Sequence, residues 1–245
     1  MIMKGVILAG GLGTRLRPIT NITNKHLLPV YDAPMIYYPI RSLVEAGIDD
    51  IMIVCGGNHA GEFLRLLGNG NEFGLKHLNY TYQMDEGGIA EALGLCAHFV
   101  DGEKVVVFLG DNIIETSIKE AVEDFQKQDG GARIILKEVE DPRDYGVVRF
   151  GENNRITEII EKPIDPPSNY AVIGVYMYDP EVFDIIKTLV PSGRGELEIT
   201  DVNNAYIEKG KLSHSVLKGW WADAGASIDA YYETIVTVAE SKNRR

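Results

Sequence analysis

Gly5-Val6-Ile7-Leu8-Ala9-Gly10-Gly11-Leu12-Gly13-Thr14-Arg15-Leu16-Arg17-Pro18 decides the reading of the chain, and Lys25 follows one loop later. The run from Val6 to Ala9 is short, apolar and bounded by glycines, which predicts a buried strand. Gly10, Gly11 and Gly13 then build a loop whose backbone N–H groups can approach an anion, because no Cβ stands in the way. Residues 1–31 contain no Asp or Glu, while the whole chain carries a net charge of -12. A positive patch inside an acidic protein predicts a polyanionic ligand, and strand, glycine loop and cations together predict a nucleoside diphosphate or triphosphate. No Gly-Lys-Ser/Thr follows the glycines, so this is not a Walker A loop, and Leu16 breaks the dinucleotide pattern G-x-G-x-x-G. A Gly-Gly pair alone would read as a tight turn; the segregated charge argues for more.

The rest of the composition narrows the class. A chain of 245 residues, 45% hydrophobic and 24% charged, is globular in type. No run approaches the ~20 apolar residues of a membrane span, and no signal-peptide pattern opens the sequence. Cys55 and Cys96 lie among apolar residues and read as buried thiols, with no disulfide framework and no zinc site. A cytoplasmic location is expected. The acidic balance argues against nucleic acid as a partner.

Working outward from the loop, helix and strand patterns alternate. Helices are expected over 34–46 (Pro34 in the first turn), 62–67, 90–99 and 118–128. Strands are expected over 51–55, 80–83 and 104–109. Beyond residue 131 the texture turns to β: strands over 133–139, 146–150, 156–160 and 170–178, with a hairpin turn at 151–154 and a rigid loop at 163–167. Helices over 181–189 and 199–209, a strand over 212–217 and a closing helix over 227–240 complete the chain. The expected fold is α/β: a doubly wound, mostly parallel but mixed central sheet, Rossmann-like, with a smaller β-rich part. It reads as one domain, with a nucleotide-binding half at 1–131 and a sugar-phosphate-binding half at 132–245. Such sheets bind ligands at the C-terminal ends of strands, where Gly10, Gln83 and Asp111 are expected to fall.

Four further clusters carry possible chemistry. Asp111, in Gly110-Asp111-Asn112, and Asp223, in Trp220-Trp221-Ala222-Asp223-Ala224-Gly225, are two carboxylates in turns. Together they would suit Mg²⁺, which uses few protein ligands; singly, each also reads as a cap. Glu161-Lys162-Pro163 ends a strand, where Lys162 could hold an acceptor phosphate and Glu161 sugar hydroxyls; a solvated surface pair is the plainer reading. Asp144-Tyr145-Gly146-Val147 opens a hairpin whose glycine would admit a ligand or simply make a turn. Gln83, followed by Gly87-Gly88, offers an amide that can donate to and accept from a pyrimidine edge.

The stretch 10–20 matches G-G-x-G-T-R-L-x-P-x-T, the signature of the sugar-1-phosphate nucleotidylyltransferases. The strings K-H-L-L-P-V-Y-D-A-P-M-I-Y-Y-P (25–39), D-P-R-D-Y-G-V-V (141–148), S-N-Y-A-V-I-G (168–174) and R-G-E-L-E-I-T-D-V-N (194–203) make the chain similar, over nearly its whole length, to the glucose-1-phosphate thymidylyltransferases within that family. The resemblance implies Mg²⁺-dependent transfer of a thymidylyl group from dTTP to glucose 1-phosphate, giving dTDP-glucose and pyrophosphate for dTDP-sugar synthesis such as that of dTDP-rhamnose. It implies that Leu8, Gly10, Gly11, Thr14, Arg15, Lys25, Gln83, Gly88 and Asp111 bind the nucleotide, Gln83 and Gly88 at the base. Asn112, Tyr145, Gly146, Glu161, Lys162 and Val172 would bind the sugar phosphate, Asp111 and Asp223 the metal, and Arg15, Lys25 and Lys162 would act in catalysis. A homo-oligomer, dimer or tetramer, is implied as well.

Two departures stand out. His26 occupies a place where many relatives have Gln, and the sequence stops at Arg245 where longer relatives continue into helices that help build a regulatory sugar-nucleotide site. Inhibition by dTDP-sugars is therefore expected at the active site alone. Two other readings compete: a uridylyltransferase or relaxed-specificity enzyme, since the thymine methyl adds little contact, and a catalytically silent nucleotide sensor on the same fold.

Overall fold

The computed structural model describes residues 3–244. Along the chain run β1 (Met3–Ala9), the hairpin β2 (Pro29–Val30) and β3 (Ala33–Pro34), α1 (Tyr37–Glu45), β4 (Asp50–Gly56), α2 (Ala60–Leu67) and β5 (His77–Gln83). Then come α3 (Ile89–Gly94), α4 (Ala97–Val100), β6 (Lys104–Leu109), β7 (Asn112–Ile114), α5 (Lys119–Lys127), β8 (Ala132–Glu138), β9 (Gly146–Phe150), β10 (Ile156–Glu161) and β11 (Tyr170–Tyr178). The last elements are α6 (Val182–Thr188), α7 (Ile199–Glu208), β12 (Leu212–Val216), β13 (Trp221–Asp223) and α8 (Ile228–Asn243). The architecture is α/β, a mixed central sheet with helices, as the alternating pattern predicts.

Two compact units divide the chain, and they interleave: one comprises 4–86, 108–119 and the residues from 219 onward, the other Met3, 87–107 and 120–218. Compactness thus cuts the chain at other places than residue 131, because the chain returns to its first unit twice. In the first unit, β1, β4 and β5 form a parallel ladder in the register Ile7↔Ile53↔Tyr80. Val6, Ile7 and Ala9 are fully buried, the mark of a strand covered on both faces. A short antiparallel ladder sets Asn112 of β7 opposite Asp223 of β13. In the second unit β8 pairs antiparallel with β11 and parallel with β12, while β9 lies antiparallel to both β10 and β11.

Two local differences from the sequence pattern have physical causes. Pro34 does not open a helix; it closes the β2–β3 hairpin, and α1 starts at Tyr37. That hairpin is pinned by the Tyr38 hydroxyl, which donates to Val30 O at 2.6 Å, and by the Tyr231 hydroxyl of α8, which donates to Pro29 O at 2.5 Å. The helix expected over 90–99 is broken into α3 and α4, and Gly94 at the break lies close against Ile186 of α6. Cys55 and Cys96 are buried and free, as expected.

Candidate active site

In the first unit β1 delivers the chain into the Gly10–Gly13 loop, and the loop runs beside Lys25: a Cβ on Gly11 would lie 3.7 Å from Lys25 Cε. The loop is braced by the Thr20 hydroxyl, which donates to Gly13 O at 2.8 Å. Thr14 and Arg15 are exposed beyond it. Gln83 ends β5 as expected, and its amide lies over Gly10, where a Cβ would stand 2.5 Å from Gln83 Oε1. Leu8 contributes its carbonyl, which accepts from Gly110 N at 2.9 Å and so ties β1 to the turn bearing Asp111. The residues expected around a nucleotide are therefore gathered here, apart from Gly88, which belongs to the second unit.

The same turn brings the acidic pair together. Lys25 Nζ donates to Asp111 Oδ2 at 2.5 Å, and both side chains are buried. Burial alone would raise the Asp111 pKa, but the charge of Lys25 and the hydrogen bond it donates outweigh it, and the carboxyl is held well below the usual range. Asp223 goes the other way. Loss of solvent and the neighbouring Asp111 charge push it up to about 6, with Lys25 and Arg15 pulling against them. Two carboxylates that close and that unequally neutralised suit a hard divalent cation, which would offset their repulsion. Among the described residues no third His, Cys, Asp or Glu joins them; a Mg²⁺ site of two protein carboxylates completed by water and phosphate fits that donor set.

The pair depends on close packing. Asn112 donates to Asp111 Oδ1 at 3.1 Å and accepts from Trp221 Nε1 at 2.7 Å, so the residue expected at the sugar phosphate also props the carboxylate. Ala224 N donates to Asp111 O at 2.9 Å, and Gly225 N to Asp223 Oδ1 at 3.0 Å. A Cβ on Gly225 would run into Asp111 Oδ2 and come within 2.8 Å of Lys25 Nζ, so only glycine fits. His26 is buried and neutral: desolvation, then the charge of Lys25, lower its pKa to about 3 against the pull of Asp111. Its Nδ1 lies 2.7 Å from Asn24 Oδ1, which also accepts the His26 backbone N–H, so Nδ1 carries the proton.

The second unit assembles the other cluster. Val172, Gly146 and Glu161 stand in one row across β11, β9 and β10. Lys162 follows with φ 46°, a left-handed conformation that a side-chain-bearing residue adopts at a cost, and its N–H donates to Tyr145 O at 3.0 Å. The Thr200 hydroxyl donates to Glu161 Oε2 at 2.6 Å, and Arg194 Nη2 lies 3.6 Å from Glu161 Oε1. Thr200 and Arg194 fall in the 194–203 string, whose residue types gave no sign of these individual roles. Gly88, at φ 97°, packs against Leu197, which donates its N–H to Gly87 O at 2.8 Å.

A family model described as nucleotidyl transferase matches residues 4–241. The chain belongs to the nucleotidyl transferase family. Within that family it is 45% identical over 226 residues to a glucose-1-phosphate thymidylyltransferase of Neisseria meningitidis, covering 91% of this chain and 78% of the relative. It is 43% identical to one of an Actinoplanes species, covering 93% and 75%. A low-salt glycan biosynthesis nucleotidyltransferase of Haloferax volcanii is 42% identical over 93% of this chain, which spans 64% of that relative. A crystal structure from Bacillus anthracis, described as a glucose-1-phosphate thymidylyltransferase with bound sucrose, superposes with a TM-score of 0.91 at 49% identity, covering 96% and 94% of the two chains. The resemblance read from the motifs thus extends over nine-tenths of the sequence, and the family's substrates are a nucleoside triphosphate and a sugar phosphate.

Proposed function

We propose that the chain joins dTTP and glucose 1-phosphate into dTDP-glucose, releasing pyrophosphate. The observation that carries this reading is the cluster of Arg15, Lys25, Asp111 and Asp223 around a glycine loop, with Gln83 at the loop's edge. The loop N–H groups, Arg15 and Lys25 hold the triphosphate; Gln83 and Gly88 read the base. Lys162 holds the phosphate of the acceptor, while Glu161, oriented by Thr200, accepts from sugar hydroxyls.

The reaction is a single in-line displacement. An oxygen of the sugar phosphate, already ionised at neutral pH, bonds to the α-phosphorus of dTTP as the bond to the pyrophosphate oxygen breaks. No general base is needed, so the residues contribute position and charge. Arg15 offsets charge on the departing pyrophosphate. Mg²⁺ held by Asp111 and Asp223 would neutralise charge on the phosphates. The buried neutral His26 adds no positive charge beside Lys25, which leaves the lysine as the local counter-ion of Asp111. In cells we place this activity in the cytoplasm, in a dimer or tetramer.

Pyrophosphate release measured over a grid of dTTP, UTP, CTP and ATP against several sugar 1-phosphates tests the reading. Turnover is expected with dTTP and glucose 1-phosphate and to depend on Mg²⁺. Faster turnover with UTP would replace the thymidylyl assignment with a uridylyl one. Binding of dTTP without turnover for any acceptor would mark a nucleotide sensor.

A further inference from the structure

The glycine loop already binds an anion: the N–H of Leu12 donates to the carboxylate of Glu86, 74 residues later, at 3.1 Å. Glu86 lies at the surface in Met84-Asp85-Glu86, just after Gln83 ends β5. Among the described residues it has no ion pair and no other hydrogen bond, although Arg15 and Lys25 belong to the same unit. A carboxylate that settles on a backbone N–H of a glycine loop is a stand-in for a phosphate oxygen, since both are acceptors with negative charge and both suit an N–H free of a facing side chain. Leu12 and Glu86 are both exposed and so is the bond between them, which puts it within reach of a competing anion.

We propose that Glu86 is a built-in competitor for the nucleotide's phosphates. Its carboxylate occupies Leu12 N–H until a phosphate oxygen displaces it, and it returns when the product leaves. Glu86 therefore sets nucleotide affinity by exchange on one donor and by repulsion of the triphosphate. The proposal rests on the nucleotide reading of the loop. The sequence motif does not reveal it, because Glu86 lies outside every phosphate signature and acts only through the fold.

Calorimetric titration of the wild-type chain, Glu86→Gln and Glu86→Ala with three probes tests it: dTTP, inorganic tripolyphosphate and thymidine, at fixed Mg²⁺ and without acceptor. Both variants are expected to bind dTTP and tripolyphosphate about three- to tenfold more tightly, with the gain shrinking as salt rises. Thymidine, which has no phosphate, is expected to bind all three proteins alike. Weaker dTTP binding by Glu86→Ala, with Glu86→Gln matching wild type, would overturn the proposal and make Glu86 a clamp that orders the loop. Unchanged polyphosphate affinity in both variants would overturn it too. A wild-type chain that binds neither dTTP nor tripolyphosphate would remove the nucleotide reading itself, an outcome distinct from these.

Discussion

Asp111 and Asp223 share a chemistry but not an environment. Asp111 has a buried ammonium against it, while Asp223 has lost solvent beside a charge of its own sign. Removing each charge therefore has opposite consequences for the fold. Asp111→Asn strands the buried Lys25 ammonium and should cost about 3 kcal/mol of stability. Asp223→Asn relieves repulsion and should leave stability unchanged or raise it. Urea unfolding in EDTA reads both, and a Asp223→Asn loss as large as that of Asp111→Asn would contradict the charge assignment. Each variant should also lose about 10²-fold or more in turnover at saturating Mg²⁺, as removal of a group that stabilises transition-state charge does. These aspartates, with Lys25 and Arg15, were legible in the sequence because each sits in a short, chemically loaded string. Thr200 and Glu86 were not, because their partners lie 39 and 74 residues away and nothing local marks the pairing.

At the level of elements, α7 holds the end of β10. The Asn204 side chain accepts from Ile159 N and donates to Ile159 O, both at 2.9 Å, as a neighbouring strand would. Thr200, one turn earlier on α7, holds Glu161 two residues further along β10. The helix thus fixes both the strand edge and the carboxylate that the strand presents. Asn204→Ala should leave both Ile159 groups without their partner and cost about 1–2 kcal/mol. It should also raise KM for glucose 1-phosphate several-fold while leaving KM for dTTP near wild type; equal changes in both would reduce Asn204 to a purely structural role. Longer elements such as β6, β9 and β11 were readable from their apolar runs, and their observed bounds coincide with the expected ones. The pairs β2–β3 and β7–β13 were not, since strands of two or three residues are too short to display a period, and Pro34 offered the same signal as a helix start.

Across the whole molecule, alternation of strand and helix was enough to give the fold class, because burial on both faces writes itself as apolar runs such as Val105 to Phe108. The division into units was not readable, since the return of the chain after residue 218 to its first unit is a matter of tertiary contact, made by the β7–β13 ladder and α8. That division has a functional consequence. Arg15 lies in the unit that carries the glycine loop, and Lys162 in the unit that carries Glu161 and Thr200. A ligand that binds only the folded state raises its stability with the logarithm of its free concentration relative to Kd, by about 2.7 kcal/mol at one hundred times Kd. With dTTP and Mg²⁺ alone, Lys162→Ala should keep nearly the full wild-type rise in Tm, whereas Arg15→Ala should lose most of it. Steady-state kinetics should then divide the same way, with Lys162→Ala raising KM for glucose 1-phosphate and Arg15→Ala raising KM for dTTP. If the Tm response to dTTP disappeared in Lys162→Ala and survived in Arg15→Ala, the two cations would have to exchange substrates, and the assignment of the triphosphate to Arg15 and of the acceptor phosphate to Lys162 would fall with them.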